Sequence, residues 1–398
     1  MTRRKQALWL GGALVVLTAL ASYWWGTESE AQPTTVAQTG STSLTTASQT
    51  PPAGPVGASS SQAPYSAAGL QTRQEQLALW RGRYERAEQM YASYRDATRY
   101  PYDSRPIAEH PDQVHPFAPI SEDLQLRNSK GELVKGIHLR TTQERVFLSG
   151  AESVSFAVAA VDDSGNSLPL TLRSASAQSV PDTRTPITVI QTQVAFADDG
   201  SGRYTGRLTP STQGFQSYAG TIRLLVEVAS GSQQGVAQFD VIYSPDVPAT
   251  WAGVREALEA GSLNFYVKAN VRQAGRYVVS ARVDDANGVP FALVQFNDEV
   301  AAGSREFRLQ VFGALVLDKR PAFPLRLRDV DGFLLIPDKF PDRATMARQT
   351  GVVHTSARYA LDRFSPAEWT SEERQRYLAE YAKDAETARR QIENLSVK

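Results

Sequence analysis

The spacing of apolar residues changes along the chain, and these changes predict where strands and helices lie. From Val134 onward, apolar and polar residues alternate, which is the period of a β-strand with one buried face. The clearest case covers 222–243, where the alternation runs up to a Gly/Ser/Gln-rich turn at 230–235 and resumes at Ala237. This stretch predicts a half-buried β-hairpin.

The same alternation fills two successive regions of the chain. Further strands are predicted at 154–172, 187–196 and 203–209 in the first region and at 277–283, 307–311 and 325–328 in the second. A proline-containing break at 244–248 separates the two regions. We therefore predict a mainly β protein with two tandem antiparallel β-sandwiches, one over 133–246 and one over 247–345.

A helical period precedes the β regions. Apolar residues recur at intervals of three and four along one stripe, which consists of Leu77, Trp80, Tyr84, Ala87, Tyr91 and Tyr94. This spacing predicts an amphipathic helix from about Gln71 to Thr98, followed by a proline-rich strap, and together they fill 70–132. The residues of this stripe other than Ala87 are the candidate partner-binding residues of the helix. Two interpretations stay open for it: packing on the body of the same chain, or dimerisation into a homo-oligomer.

A second amphipathic helix is predicted in the C-terminal helical segment, 346–398. The sequence Ser-Pro-Ala-Glu at 365–368 has the form of a capping box, so we expect the helix to begin at Pro366. Its apolar side comprises Trp369, Tyr377, Tyr381, Ala385, Ala388, Ile392 and Leu395. This helix is a candidate mate for the first, so that two amphipathic helices flank the β regions. Trp369, like Trp80 and Trp251, is expected to be buried in a core, because each lies beside an apolar stripe or, for Trp251, at the hinge between the two sandwiches.

The N-terminal segment predicts a membrane crossing. Residues 7–25 form 19 uncharged, mostly apolar positions, close to the length that spans a bilayer as a helix. Basic residues precede them, which predicts a transmembrane signal-anchor in the inner membrane, a cytoplasmic tail at 1–6 and a periplasmic bulk. The expected contacts with membrane lipid at the interface are Trp9, Tyr23, Trp24 and Trp25. A cleaved signal peptide is the alternative, because Ala-Leu-Ala at 19–21 resembles a cleavage site.

Composition restricts the chemistry of the chain. Residues 26–69 are rich in Ser, Thr, Ala and Pro, which predicts a disordered spacer.

The 398 residues include 42 basic and 42 acidic side chains and no cysteine, which argues against a nucleic-acid partner and excludes disulfides. The sequence has no phosphate loop, dinucleotide fingerprint or His-Glu-x-x-His motif, so we predict no catalytic residue, cofactor or metal site. Asp-rich pairs such as 284–285 are interpreted as turn formers rather than calcium ligands.

The second β region contains sequence runs that resemble a known family of modules. Its runs GRYVVSARVDDANGVPFAL, FNDEVAAGSREFRLQVFG and PLRLRDVDGFLL are similar to immunoglobulin-like modules of exported bacterial envelope and adhesin-type proteins. The resemblance covers about 134–337 and rests on turn and core patterns. It implies tandem immunoglobulin-like sandwiches with a binding or spacing role, and it brings no catalytic residues.

These observations predict a non-enzymatic function. The main hypothesis is a membrane-anchored, exported scaffold or accessory protein that binds other envelope or secretion-system proteins. The alternative is an adhesin or glycan-binding module, which a row of exposed aromatic side chains on one sandwich face would favour. A hydrolase with convergent carboxylates is a third hypothesis, and it requires a pocket with perturbed Asp or Glu side chains.

Overall fold

The computed structural model describes residues 67–128, 130–181 and 189–397. In this part the protein is mainly β, with antiparallel sheets, and helices lie at both ends. The helices are α1 (Ala67–Ala97), α2 (Gly313–Lys319) and α3 (Glu372–Ser396), with 3-10 turns at Ile107–Glu109, Pro111–Val114, Pro210–Thr212 and Leu361–Arg363. The strands are β1 (Ser104–Pro106), β2 (Ile120–Arg127), β3 (Leu133–Gln143), β4 (Phe147–Ser149), β5 (Val154–Asp162), β6 (Ser167–Leu168), β7 (Thr171–Ser179), β8 (Gln191–Gln193), β9 (Phe196–Asp198), β10 (Arg203–Leu208), β11 (Gly220–Ser230), β12 (Gln233–Ser244), β13 (Ala249–Glu259), β14 (Ser262–Val271), β15 (Gly275–Asp284), β16 (Pro290–Val300), β17 (Gly303–Val311), β18 (Arg326–Leu335), β19 (Arg343–Thr345) and β20 (Gln349–Thr355).

The first β region is one sheet that folds over itself. Its order is β8-β7-β11-β12-β2-β3-β5-β10-β9, with β4 paired to β12 and β6 to β5. The join between β12 and β2 is a single pair, Gln234 with Arg127. Both halves of the sheet supply one hydrophobic core, in which the rings of Phe156 and Phe239 lie 4.9 Å apart. The predicted hairpin at 222–243 is confirmed as β11 and β12.

The second β region consists of two sheets that share a core. A three-stranded sheet, β13-β14-β17, packs against a six-stranded sheet, β1-β16-β15-β18-β19, in which β20 also pairs with β18. Phe307 from the smaller sheet meets Tyr277 from the larger one at a ring distance of 5.6 Å. Trp251 packs against this core and donates its Nε1–H to the carbonyl of Ala347 at 2.6 Å.

The proline-rich strap between α1 and β2 lies against the larger sheet of the second region. Its strand β1 adds to the edge of β16, and the 3-10 turn at Pro111–Val114 follows. Arg282 points away from the core side of β15, and its guanidinium donates to the carbonyl of Val114. Because Arg282 is buried and ion-paired with Asp284, the strap covers a polar cluster on the outer face of this sheet.

Helices α1 and α3 run antiparallel and pack against each other. Arg73 near the start of α1 donates to the carbonyl of Leu395 near the end of α3, at 2.6 Å. At the opposite end, Tyr94 of α1 contacts Tyr377 of α3 at a ring distance of 5.6 Å. Residues 71–97 and 372–396 contribute no side chain to either hydrophobic core. The two helices therefore form a unit, here called the helix pair, outside both cores.

The structure corrects the predicted helix boundaries. Helix α1 begins at Ala67, so the last three residues of the predicted spacer are helical. Helix α3 begins at Glu372, with Ser371 as N-cap accepting from the Arg374 amide, and the predicted start at Pro366 was wrong. The cause is tertiary: the Ser365 amide donates to Gly261 and the Trp369 amide to Arg99, which holds this segment out of helical geometry.

The predicted membrane location is also corrected. In the part of the chain that the structure describes, no helix has the length and apolar character needed to cross a membrane. The long helices α1 and α3 carry charged side chains along their whole length. This finding overturns the predicted inner-membrane location. The anchor itself, residues 7–25 with Trp9, Tyr23, Trp24 and Trp25, lies outside the described residues, as does 26–66 of the predicted spacer.

Candidate functional site

The predicted partner-binding stripe faces α3. Its members Leu77, Trp80, Tyr84, Tyr91 and Tyr94 are all half-buried. Tyr94 also meets Tyr381 at a ring distance of 5.5 Å, and the Arg83 guanidinium lies 4.6 Å from the Trp80 ring. The stripe therefore packs within the chain, as one of its two interpretations predicts, and dimerisation stays a prediction.

The helix pair nevertheless leaves apolar surface in water. None of residues 71–97 is fully buried, and α3 buries only Arg374, Ala385 and Ala388. Leu79 and Met90 on α1 are 50% and 51% exposed. They lie eleven residues apart, about three helical turns, and so share one face of α1. Arg83 and Arg86 occupy the same face between them, and this set is here called the α1 outer face.

A polar network holds the foot of the helix pair, where α1 ends and α3 begins. Arg374, only 6% exposed, donates to Thr98 at 3.0 Å and to Glu368 at 2.8 Å. Arg95 donates to the other oxygen of Glu368 at 2.9 Å. The hydrogen bonds from Arg95 and Arg374 lower the pKa of Glu368 and keep it ionised. The network joins both helices through one carboxylate.

A second anchor ties the foot to α2. Arg99 donates to both oxygens of Asp318 at 2.8 Å, and the Tyr100 hydroxyl donates to one of them at 2.7 Å. Burial alone would raise the pKa of Asp318, but these hydrogen bonds outweigh it and the pKa is lowered. Burial and the bond to Asp318 raise the pKa of Tyr100 to about 12. The phenol therefore stays protonated and remains the donor.

A cavity of about 280 Å³ opens at this foot, and we call it the foot cavity. It is lined by Tyr94, Thr98, Tyr100, Tyr102, Arg105, Trp369, Ser371, Glu373 and Arg374. Trp369 and Trp80 are half-buried and belong to neither core, so the expected burial of both in a core was wrong. The aromatic residues that flank both predicted helices were visible in the sequence. No sequence pattern indicated that residues so far apart along the chain would line one cavity.

The described residues offer little for the carboxylate hydrolase hypothesis. The foot cavity contains one carboxylate, Glu373, and a second cavity of about 310 Å³ in the first β region also contains one, Glu144. Hydrolysis by paired carboxylates requires two that flank one bond. Burial raises the pKa of Asp103 and of Asp331, yet neither lines these cavities.

The Asp-rich turns use their carboxylates locally. Asp162 accepts from the amides of Ser164 and Asn166, and Asp285 accepts from those of Asn287 and Val289. Both patterns are turns in which the side chain caps its own loop. Within the described part of the chain, no group of three His, Asp or Glu side chains is placed to hold a metal ion.

Exposed aromatic side chains do not form a row on a sheet face. In the described ranges they are Tyr102, Phe340 and Tyr377, and none of them lies on a strand. The arrangement that would favour a glycan-binding sandwich face is therefore not seen on the described strands.

Comparisons with known proteins identify no family: no family model and no curated protein matches the chain. Among solved structures, the chain is similar to a DUF4785 family protein from Legionella pneumophila, with 14% identity and a TM-score of 0.38, over 55% of this chain and 57% of that one. It is also similar to native E. coli alpha-2-macroglobulin, with 11% identity, a TM-score of 0.23 and coverage of 58% and 18%. Latent PorU from Porphyromonas gingivalis matches with 10% identity, a TM-score of 0.17 and coverage of 60% and 20%.

These likenesses are too weak to support an argument about function. The chain spans just over half the length of the Legionella protein. The resemblance to immunoglobulin-like envelope modules stays a prediction, since no family model supports it. Nothing in the comparisons indicates enzyme activity.

Proposed function

We propose that this is a non-enzymatic assembly protein that binds another protein through its helix pair. The observation that carries the proposal is that the pair lies outside both hydrophobic cores while Leu79 and Met90 remain half exposed. Helices that add nothing to a core are not required to fold the β regions. Because Leu79 and Met90 share one face of α1, a single partner surface can bury both of them.

The chemistry of the α1 outer face specifies the partner. Arg83 and Arg86 stand between Leu79 and Met90, and neither arginine has an ion pair with any described residue. By contrast, Arg389 and Arg390 on α3 are both paired with Glu386. The best complement is an amphipathic helix of another protein, with apolar side chains for Leu79 and Met90 and acidic ones for the two arginines.

We further infer that the β regions are immunoglobulin-like modules that act as a rigid body for the helix pair. The support lies in the second region, where a three-stranded sheet and a larger sheet enclose a core rich in alternating inward residues. The extended sheet of the first region departs from the simplest form of that fold. In this role the modules fix the position of the helix pair and leave the α1 outer face accessible.

Site-specific photocrosslinking tests the partner proposal in the cells that make the protein. A photoreactive residue replaces Leu79 in the full chain, and a matched probe replaces Glu88, which is exposed on another side of α1. We expect a discrete adduct from position 79 only, and mass spectrometry should place the linked segment in an acidic amphipathic helix. The double variant Arg83→Glu/Arg86→Glu should reduce the adduct at least tenfold, since it puts like charges together.

Arg81→Glu is the control, because it makes one of these Arg→Glu charge changes at an exposed position off the α1 outer face, and it should leave the adduct intact. An adduct of twice the chain mass would identify a second copy as the occupant and contradict the proposed partner. Equal labelling from positions 79 and 88, or no adduct at all, would overturn the proposal.

A further inference from the structure

We propose that the foot cavity binds one neutral pyranose ring of a carbohydrate. This inference is independent of the α1 outer face, because none of that face's residues lines the cavity. Three segments close around the cavity: the end of α1, the turn into β1 and the approach to α3. Its volume of about 280 Å³ is near the lower end of small-molecule sites. That volume admits one ring-sized group and excludes a large ligand.

Aromatic rings provide most of the apolar wall. Tyr94, Tyr100, Tyr102 and Trp369 are four of the nine lining residues. Tyrosine and tryptophan combine a large apolar face with a polar edge. A pyranose has the matching character, since its C–H groups form apolar faces and its hydroxyls form a polar rim.

Some polar groups of the wall are unpaired, whereas Thr98, Tyr100, Ser371 and Arg374 already have hydrogen-bond partners within the chain. Trp369 Nε1, the hydroxyls of Tyr94 and Tyr102 and the Glu373 carboxylate have no hydrogen-bond partner among the described residues. Arg105 Nε is buried and makes no hydrogen bond to a described residue, although it lies 3.6 Å from the Glu109 carboxylate. A buried donor without a partner costs free energy that a ligand oxygen would recover. Sugar hydroxyls both donate and accept, so they suit a wall that mixes donors with a carboxylate.

The charges around the cavity favour a neutral ligand. Arg374 is neutralised by Glu368, to which it donates at 2.8 Å. Arg105 is ion-paired with Glu109 at 3.6 Å, and Glu373 is the lining residue that has no ion pair with a described residue. An anionic ligand would face Glu373, and a cationic one would face Arg105. A neutral polyol meets neither penalty.

The frame of the cavity is built before any ligand arrives. The buried Arg374 joins Thr98 to Glu368, the Trp369 amide donates to the carbonyl of Arg99, and Arg105 donates to the carbonyl of Ala97. Thr98, Arg105, Trp369 and Arg374 are themselves lining residues, so these bonds fix the position of part of the wall. A preformed site spends little free energy on ordering its side chains when it binds.

Ligand-observed NMR and calorimetry on the full chain test this proposal. The probes are the methyl glycosides of glucose, galactose, mannose and N-acetylglucosamine, with glucuronate and a Leu-Pro-containing tripeptide as anionic and peptidic comparisons. We expect at least one neutral glycoside to bind with a dissociation constant of about 1–10 mM, and the comparisons to bind at least tenfold more weakly. Trp369→Ala should weaken glycoside binding at least tenfold.

Glu373 is exposed, so Glu373→Gln should weaken glycoside binding several-fold without affecting folding. This variant therefore tests the proposal if Trp369→Ala does not fold. Phe340→Ala is the matched control, since Phe340 is an exposed aromatic residue outside both the lining and the helix pair, and it should leave affinity within twofold. Absence of binding by every glycoside would overturn the proposal. So would binding that Glu373→Gln and Trp369→Ala leave unchanged, or preferential binding of the tripeptide.

Discussion

Gly313, the first residue of α2, sits where three segments of backbone converge. A Cβ atom at this position would overlap the carbonyl oxygen of Gly261 and lie 2.9 Å from the backbone of Ser365. The Gly313 amide also donates to the Ser262 hydroxyl at 3.0 Å. Backbone atoms cannot move aside as a flexible side chain can. The residue is therefore glycine because of space rather than because of its own dihedral angles.

Gly313→Ala should destabilise the protein by about 2 kcal/mol or more, because the added methyl group has no space. Gly82→Ala is the matched substitution in the interior of α1, where the nearest neighbour to a new Cβ is the end of Arg86 at 3.7 Å. It should stabilise the helix by about 1 kcal/mol, since alanine has the higher helix propensity. Denaturant unfolding followed by circular dichroism measures both, and equal effects would contradict the explanation.

Glu368 makes the foot of the helix pair sensitive to acid. Hydrogen bonds from Arg95 and Arg374 lower its pKa below its ordinary value of 4.5. The unfolded chain therefore takes up a proton at a higher pH than the folded chain does. The stabilisation by Glu368 is complete above about pH 4.5 and is lost as the pH falls through the lowered pKa.

Stability measured from pH 7 to pH 3 should consequently fall more steeply in the natural protein than in Glu368→Gln. At pH 7 this variant should be less stable by about 1–2 kcal/mol, since it loses charge-assisted hydrogen bonds. Glu75→Gln, at an exposed position of α1 that has no ion pair with a described residue, should follow the natural protein. A Glu368→Gln curve parallel to that of the natural protein would refute the assignment.

At the scale of elements, the helix pair and the β regions are separable in their packing. Neither 71–97 nor 372–396 supplies a side chain to the two cores, whereas Phe364, just before α3, is part of the second core. Helix stability in proteins comes mainly from burying an amphipathic face. Without α3, α1 has no partner for its aromatic stripe.

A chain ending at Ser371 should therefore keep its β-sheet signal and a cooperative unfolding transition while it loses the helical signal of both α1 and α3. Far-ultraviolet circular dichroism distinguishes this result from the loss of α3 alone. A chain ending at Ala360 is the comparison, because it also removes Phe364 and should be clearly less stable. Unfolded β regions in the chain ending at Ser371 would contradict the separation.

The turn elements illustrate how far local patterns can be interpreted. The repeated Val-Asp-Asp of 161–163 and 283–285 suggests equivalent hairpins 122 positions apart. In the structure the capping carboxylates are Asp162 and Asp285, and each turn continues to a glycine at positive φ, Gly165 or Gly288. The equivalent residues of the two turns are therefore 123 positions apart rather than 122. Turn chemistry predicted both turns, but the strand register decided which aspartate caps each one.

At the scale of the whole molecule, the two β regions meet across a defined junction. The Thr345 amide donates to the Ser149 hydroxyl at 2.8 Å, joining β19 to the end of β4. The Arg343 guanidinium lies between Phe147 of the first region and Phe333 of the second, 4.6 and 5.0 Å from their rings. The planar cation thus packs on aromatic rings from both sides of the junction.

Arg343→Ala should loosen this junction without unfolding either region. Small-angle scattering should then report a larger radius of gyration, and calorimetry should resolve two transitions in place of one. Arg276→Ala is the control, since Arg276 bonds to Asn297 within its own sheet and lies outside the junction. An unchanged radius and a single transition in Arg343→Ala would show that other contacts hold the regions together.

The sequence by itself determined the alternating strands, the amphipathic stripes of α1 and α3 and the capped turns, because these depend on residues only a few positions apart. Tertiary structure decided where α3 begins, since Ser365 and Trp369 bond to Gly261 and Arg99. It also assembled the foot cavity, in which Tyr102 and Trp369 come together from positions 267 residues apart. Contacts over such separations follow from the packing of whole elements, which no local period encodes.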